Sequence, residues 1–230
     1  MPRPRLTAVA DAVVATLFAP SCLSCGDVLE HPTECPVCPA CWRRLPRFTG
    51  GGGGHALPSL SLVATLGPFD GVLRDVVHGL KFQGRRSLAA RIGPLLRQAA
   101  APALHGADAV VPVPLHPWRE WRRGYNQSAL LAATLGLPVW PLLRRVHATV
   151  PQSTLDARAR YQNVRDAFAL GSRWPGSAAR AAARIDGRVL VLVDDVLTTG
   201  ATLDACGRVL RQAGAGDVRA ITAARAELRG

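Results

Sequence analysis

The sequence predicts an α/β protein whose central, mainly parallel sheet is flanked by helices and preceded by a small cysteine-rich segment. Short apolar runs bounded by turn residues, at 108–114 and 189–193, are typical of strands that a sheet buries on both faces. Apolar residues at helical spacing lie between these runs and elsewhere, as in the stripe from Val72 to Leu80. Strands that alternate with helices along a chain favour a parallel sheet.

The other elements follow from the same patterns. Ser87 is placed to cap a helix that must accommodate Pro94 early in its course. Gly214 and Gly216 mark a turn before a last strand. In chain order we expect strands at 62–66, 108–114, 189–193 and 217–223, and helices at 72–80, 87–100, 128–135 and from 203 onward.

Length and charge limit the class of protein. A chain of 230 residues with 48% hydrophobic content can bury one full core beside a small appendage. Its longest apolar run is far too short to cross a bilayer, so we expect no membrane partner. The net charge of +12 rests on 27 arginines and one lysine, Lys81. So lopsided a ratio is typical of codon-composition bias, but the charge still favours polyanionic partners such as nucleic acid or a phosphate-rich substrate.

The N-terminal residues 1–18 combine arginines with an apolar stretch, as a signal peptide does. Asp11 interrupts that stretch, and its apolar positions from Leu6 to Leu17 fall at helical spacing. The segment therefore predicts an amphipathic helix packed on the body of a cytoplasmic protein, with a signal or surface-anchoring role as the alternative.

Five of the six cysteines lie close together near the N-terminus. The C-x-x-C pairs Cys22/Cys25 and Cys38/Cys41 are separated by twelve residues, a spacing at which two knuckles chelate one tetrahedral Zn²⁺. Cys35 also forms a C-x-x-C with Cys38 and stays an alternative to Cys41. Disulfide bonds are the rival interpretation, but without a convincing secretory signal the cluster favours thiolate ligands.

The stretch from residue 188 to residue 203 carries the clearest functional signal. A buried strand ends at the adjacent acids Asp194 and Asp195, and a loop of small and hydroxyl residues then leads into a helix. A helix N-terminus offers free backbone N–H groups and a positive dipole, which together hold a phosphate. The pattern is neither a Walker A loop nor a dinucleotide-binding fingerprint, and a capped turn with solvated acids is the alternative. The loop residues are Thr198, Thr199, Gly200, Ala201 and Thr202.

The letters D-D-V-L-T-T-G-A-T closely resemble the phosphoribosyl pyrophosphate (PRPP) motif of type I phosphoribosyltransferases. The resemblance implies that fold, with Asp194 and Asp195 on the ribose hydroxyls, where the reaction takes place, and the loop at 198–202 around the 5′-phosphate. It also implies Mg²⁺ as the ion that accompanies PRPP.

Further motifs resemble the ComF family, whose members join a four-cysteine zinc finger to a phosphoribosyltransferase domain. C-P-A-C-W-R-R-L-P is similar to the second knuckle of that finger, and L-K-F around Lys81 is similar to another signature. The resemblance implies four ligands for a structural Zn²⁺, namely Cys22, Cys25, Cys38 and Cys41.

The glycine run from Gly50 to Gly54 marks a boundary, because such a run is flexible and cannot pack. We therefore expect an N-terminal helix and finger at residues 1–49, a linker at 50–59 and a phosphoribosyltransferase domain at 60–230.

The basic letters R-R-G-Y-N-Q, which follow the strand at 108–114, also match a ComF element. The match implies that Arg122 and Arg123, with Asn126 and Gln127, face the pyrophosphate end of PRPP. A charged surface turn is the alternative.

Residues 144–166 show no periodicity, which is typical of lids and binding loops. Eight arginines and two acids lie between residues 114 and 165, so half of the net charge of +12 falls in 52 residues. Similarity to the flexible catalytic loop of ComF proteins implies that Arg144 binds PRPP and that Arg160 acts in catalysis. A solvated surface loop is the alternative.

The expected reaction displaces pyrophosphate from the anomeric carbon of PRPP through an oxocarbenium-like centre. No stretch of the sequence identifies the acceptor, which we expect to be a base or an amine. The ComF resemblance supports a second hypothesis: a PRPP- or nucleotide-binding adaptor that acts with single-stranded DNA or a DNA-uptake helicase in natural transformation.

Overall fold

The computed structural model describes residues 20–31, 35–46, 57–146, 167–171 and 176–226. Its strands are β1 (Leu62–Pro68), β2 (Ala109–Pro112), β3 (Leu143–Arg145), β4 (Phe168–Leu170), β5 (Val189–Leu197) and β6 (Asp217–Arg225). Four of them form one parallel sheet in the order β1-β6-β5-β2, while β3 and β4 form an antiparallel pair. The predicted α/β architecture with a central parallel sheet is confirmed.

Helices cover both faces of this sheet. Within the described ranges they are α1 (Pro39–Arg43), α2 (Gly71–Phe82), α3 (Ser87–Ala99), α4 (Ala101–Leu104), α5 (Pro117–Arg123), α6 (Gln127–Ala132), α7 (Ser177–Ile185) and α8 (Ala201–Gln212). Arg86 occupies the N-cap position of α3, so Ser87 begins the helix instead of capping it. Helix α6 is shorter than predicted. In the described part of the chain no helix is both long enough and apolar enough to span a bilayer.

The sheet separates two hydrophobic cores. Val191 and Val193 of β5 face one core, in which α2, α3 and α6 pack; Leu190 and Leu192 face the other, with α8. Successive side chains of a strand point to opposite faces, and this alternation divides β5 between the cores. The cysteine-rich segment belongs to the first core, to which it contributes the buried residues Cys22, Leu29, Val37, Cys41 and Leu45.

Strand β5 extends beyond its predicted end. Asp194 is in register with Thr222 of β6, and Leu197 is in register with Arg225. The adjacent acids Asp194 and Asp195 therefore lie inside the strand, and the expectation that the strand ends at them is wrong. The pairing with β6, which runs alongside for the whole length of β5, carries the strand past the acids.

The segment predicted as a loop from residue 144 begins instead in a strand. Arg144 and Arg145 belong to β3, which pairs with β4. Residues 147–166 of the predicted lid, which include Arg160, lie outside the described residues, as do residues 1–19 and 47–56.

Candidate functional site

The most deeply buried acid of the predicted site forms an ion pair with the only lysine in the chain. Asp195 is 4% exposed, and its Oδ1 accepts a hydrogen bond from Lys81 Nζ at 3.0 Å. Its second oxygen, Oδ2, is also buried and has no hydrogen-bond partner in the described part of the chain. The Lys81 ammonium therefore offsets the cost of burying this carboxylate.

Asp194 has different partners. Its Oδ1 accepts hydrogen bonds from Ser128 Oγ at 3.0 Å and from the backbone N–H of Asp195 at 2.9 Å. Burial, followed by the negative charge of Asp195, raises the pKa of Asp194 to about 7. At neutral pH this carboxyl is thus divided between its protonated and ionised forms.

The predicted phosphate loop, residues 198–202, connects β5 to α8 through a left-handed glycine. Gly200 has φ of 79° and occupies the N-cap position of α8. The Thr199 hydroxyl accepts a hydrogen bond from the Ala201 N–H at 3.4 Å. The first-turn N–H groups of such a helix have no partners within the helix, which is the property a phosphate site needs.

A basic pocket of about 570 Å³ adjoins the acid pair at Lys81, and its lining comprises Lys81, Phe82, Trp118, Arg119, Arg122 and Arg123. The Arg123 guanidinium lies 5.4 Å from the ring centre of Phe82, and that of Arg122 lies 5.5 Å from the ring centre of Trp118. Aromatic faces hold guanidinium groups in fixed orientations. Among the described residues the lining carries four cationic side chains and no carboxylate, so the pocket suits an oxyanion.

Two residues expected on the ligand side are engaged within the protein. Asn126 caps α6, accepting the N–H of Ser128 at 2.9 Å, and donates through Nδ2 to the Val113 carbonyl at 2.9 Å. Gln127 is buried and accepts a hydrogen bond from Arg123 Nη1. Both side chains hold the turn that joins α5, which carries the arginines, to α6.

Arg144 is exposed on β3, while its neighbour Arg145 lies over the ring of Phe168 at 5.5 Å. Burial lowers the pKa of Arg145, and the Asp194 carboxylate acts on it in the opposite direction. The structure thus puts Arg145 within electrostatic range of Asp194, although the sequence pattern singled out Arg144.

Sequence reasoning missed Ser128 and Arg119. Ser128 directly follows the R-R-G-Y-N-Q letters and Arg119 precedes them, so both residues lie just outside the motif on which the prediction was based. Thr222 was also missed: it is fully buried, is in register with Asp194, and in the described ranges its hydroxyl has no partner.

A second cluster consists of the sulfur atoms of Cys22, Cys25, Cys38 and Cys41, which all lie within 4.8 Å of one another. The sulfurs of Cys25 and Cys38 are 3.7 Å apart. Tetrahedral Zn²⁺ with Zn–S bonds of about 2.3 Å requires sulfurs about 3.8 Å apart, so the four thiols fit this ion. Cys35 lies outside the cluster, which favours Cys41 over Cys35 as the fourth ligand.

Backbone N–H groups surround the sulfurs. Cys38 N–H donates to Cys22 Sγ at 3.2 Å, and Cys41 N–H donates to Cys38 Sγ at 3.4 Å. Burial raises the pKa of Cys22, but the hydrogen bonds from Cys25, Cys38 and Ser24 outweigh it and bring the pKa to about 6. Such N–H bonds stabilise thiolates, the form that binds metal.

The fold and these two clusters define a phosphoribosyltransferase-fold protein with an N-terminal four-cysteine segment. The phosphoribosyl transferase domain family matches residues 133–228. The chain is 34% identical over 212 residues to "DNA utilization protein YhgH" of Salmonella typhimurium, covering 86% of this chain and 81% of that one. It is 30% identical over 217 residues to "Competence protein F" of Haemophilus influenzae, covering 90% and 85%. The chain belongs to this ComF family.

A solved structure titled as the allosteric regulatory enzyme of purine biosynthesis aligns with a TM-score of 0.39 and 20% identity, over 64% of this chain and 30% of that one. At this TM-score the similarity is too weak to bear on the site or on function.

Proposed function

We propose that the protein binds PRPP with Mg²⁺ and transfers its phosphoribosyl group to a base or amine, releasing pyrophosphate. The observation that carries the proposal is that the acid pair, in which Asp195 is buried, and a pocket with four cationic side chains in its described lining meet at Lys81. PRPP carries ribose hydroxyls, which suit the acid pair, next to a diphosphate, which suits the cationic side chains of the pocket.

Each part of the site has a role in this proposal. Asp194 and Asp195 accept hydrogen bonds from the ribose hydroxyls, and the loop at 198–202 donates N–H and hydroxyl groups to the 5′-phosphate. Arg122 and Arg123 pair with the diphosphate as its bond to the anomeric carbon breaks. Mg²⁺, when bound with PRPP, supplies further neutralisation of the leaving group.

The chain itself need not supply a nucleophile. The acceptor attacks the anomeric carbon while pyrophosphate leaves with the bonding electron pair, so the ribosyl centre carries positive charge in the transition state. Arg144, which is exposed on β3, and Arg160 are proposed to contact the diphosphate and to help exclude water from the reacting centre.

We also propose that the four cysteines hold a structural Zn²⁺ and that the chain divides at residues 1–49, 50–59 and 60–230. The donor set of four sulfurs with N–H···S support is that of closed structural zinc sites. All six cysteines are free thiols, which is consistent with a reducing compartment such as the cytoplasm.

Calorimetric titration with PRPP tests the main proposal. The wild type should bind PRPP in the presence of Mg²⁺, and an Asp194→Asn/Asp195→Asn variant should bind it at least about tenfold more weakly, the scale for two charge-assisted hydrogen bonds. Asp75→Asn is a matched control, because Asp75 pairs with Arg74 away from the site. Equal affinity in wild type and double variant would refute the assignment. Pyrophosphate release with a panel of bases and amines then tests transfer.

A second candidate function is that of a PRPP- or nucleotide-binding adaptor acting with single-stranded DNA or a DNA-uptake helicase. One observation favours it specifically: Trp118 and Trp121 are 57% and 81% exposed on α5, whose exposed face also carries Arg119 and Arg122. Exposed indole rings beside arginines are suited to stacking on unpaired bases. The printed names of the relatives, which concern DNA utilization and competence, are consistent with this function.

A further inference from the structure

The cysteine cluster and the acid pair are connected through the last turn of α2. Leu23, between two of the clustered cysteines, packs on Gly79: a Cβ at Gly79 would lie 2.8 Å from Leu23 Cδ1. This close approach is possible because residue 79 has no side chain. Lys81, two residues further on, forms the ion pair with Asp195.

Leu23 is itself held by the cluster. Its N–H donates to the Pro36 carbonyl at 2.9 Å, which joins the two halves of the cysteine-rich segment. The adjacent Cys22 sulfur accepts the Cys38 N–H at 3.2 Å. The position of Leu23 therefore depends on the four sulfurs being together.

Further hydrogen bonds stabilise the same turn of α2. The Gly79 carbonyl accepts the N–H groups of Gln83 and Arg85, both at 3.2 Å, and so closes the helix. The Leu80 carbonyl accepts a hydrogen bond from the hydroxyl of Tyr125, which lies in the turn after α5, the helix that carries the pocket arginines. Leu23 thus packs on a short turn that also contacts Leu88 of α3 and, through the Leu80 carbonyl, Tyr125 beside the basic pocket.

We propose that Leu23 is a positioning residue for Lys81: by packing on Gly79 it holds the last turn of α2 where Lys81 pairs with Asp195. The cysteine cluster is then coupled to the acid pair, and loss of the cluster loosens the pair. The consequence for PRPP rests on the proposed function, whereas the consequence for Lys81 does not.

Lys81 offers a direct measurement because it is the only lysine in the chain. An amine-selective acetylating reagent modifies Lys81 and the N-terminal amine alone, and mass spectrometry of the intact protein and its peptides separates the two. Lys81 should react slowly in the wild type, and about fivefold faster in Leu23→Ala, because the turn opens more often. Asp195→Asn, which removes the partner directly, sets the upper rate. Leu23→Met keeps a long apolar side chain and should react as the wild type does.

Two comparisons separate positioning from general loosening. Leu29→Ala truncates a buried leucine of the same segment that is not among the side chains nearest Gly79, and should leave the Lys81 rate unchanged. Treating the wild type with a chelator should accelerate acetylation as Leu23→Ala does, with no further increase when the two are combined. An unchanged rate in Leu23→Ala, or an equal increase in Leu29→Ala, overturns the proposal.

Calorimetry with PRPP and Mg²⁺ completes the test. Leu23→Ala should lower PRPP affinity about threefold to tenfold, with the thiol count of the cluster unchanged. If the wild type binds no PRPP, the proposed function fails, and the acetylation rates alone decide the role of Leu23. If the wild type binds PRPP and Leu23→Ala binds it equally well, the coupling is refuted.

Discussion

Lys81 Nζ lies 3.0 Å from Asp195 Oδ1, and the two residues are separated by 114 positions in the sequence. The carboxylate is 5% exposed and the lysine side chain 29% exposed. Burying a carboxylate without a partner would destabilise the folded state, so the Lys81 contact contributes to the stability of the fold. Since Asp195 also belongs to the site that we propose for PRPP, the same contact serves both stability and that site.

We expect Lys81→Met to lower the free energy of unfolding by about 1–3 kcal/mol at neutral pH, because it leaves Asp195 buried and unpaired. Asp195→Asn combined with Lys81→Met should recover much of that loss, since no buried charge is left. Urea unfolding of the two single variants and the double variant measures the coupling. As a control, Arg74→Met disrupts a 3.5 Å pair with Asp75 in which the Arg74 side chain is 57% exposed, and should change little.

The raised pKa of Asp194 predicts a pH-dependent stability. The pKa of this carboxyl is about 7 in the folded protein, against an unperturbed value of 3.8. The folded state therefore binds the proton more tightly, and the resulting stabilisation, complete below pH 3.8, is lost as the pH rises through about 7. Asp194→Asn has no carboxyl at this position, so its stability lacks this pH-dependent contribution. The free energy of unfolding of the wild type should thus fall relative to Asp194→Asn between pH 4.5 and pH 8, by about 1 kcal/mol or more.

Parallel unfolding curves for both proteins across that range provide the measurement. A constant difference would show that Asp194 is not perturbed. PRPP binding should change in the opposite direction, because the ionised carboxylate is the better hydrogen-bond acceptor for ribose hydroxyls, so affinity should rise with pH through about 7.

Gly200 should not tolerate alanine. Its φ is +79°, and a Cβ there would lie 2.5 Å from Leu57 Cδ2. We expect Gly200→Ala to cost about 2–4 kcal/mol, partly from the left-handed backbone and partly from the contact with Leu57. Gly187→Ala is the matched control: its φ is +66°, but nothing lies within 4 Å of the added carbon, so only the backbone cost of about 1–2 kcal/mol applies.

Leu57→Ala in the Gly200→Ala background should recover the part of the lost stability that comes from the contact with Leu57. Chemical denaturation of the wild type, the two single variants and the double variant measures this recovery. Additive effects of the two substitutions would contradict the contact. Because the loop at 198–202 is the proposed phosphate site, Gly200→Ala should also weaken PRPP binding, whereas Gly187→Ala should not.

The pattern of local motifs explains what the sequence could predict. The C-x-x-C pairs and the loop at 198–202 each lie within a short stretch of chain, so their spacing could predict a cysteine cluster and a candidate phosphate loop, whereas the choice of Cys41 over Cys35 rested on the ComF resemblance. The parallel sheet followed in the same way from periodicity.

Contacts between distant segments could not be predicted in this way. Strand β5 continues past Asp194 and Asp195 because β6 lies beside it, and nothing within the residues near the acids encodes that pairing. The hydrogen bond from Ser128 to Asp194 and the packing of Leu23 on Gly79 likewise depend on how helices dock, which a single sequence does not specify.

For the cysteine cluster we expect about one Zn²⁺ per chain in protein purified without chelator. Cys25→Ser should lose the metal because it removes one of the four clustered sulfurs, whereas Cys35→Ser should retain it. Metal analysis of both variants tests the assignment, and Co²⁺ substitution adds a spectroscopic test of four-sulfur coordination. Loss of metal in Cys35→Ser together with retention in Cys41→Ser would show that Cys35, and not Cys41, is the fourth ligand.

The adaptor hypothesis predicts salt-sensitive binding of single-stranded DNA at α5. If Arg119, Arg122 and Arg123 each contact a phosphate, the logarithm of the binding constant should fall with the logarithm of salt concentration with a slope of about −2, and each Arg→Ala change should reduce that slope by about 0.7. Trp121→Ala should instead weaken binding by about 1–3 kcal/mol at unchanged slope, because the 81% exposed indole would stack on a base without neutralising charge. Arg74→Ala, at an exposed position of α2, is the control for net charge. Fluorescence anisotropy with a labelled oligonucleotide measures these slopes. If the wild type does not bind at low salt and micromolar protein, or if Arg74→Ala lowers the slope as much as Arg122→Ala does, α5 is not a nucleic-acid surface.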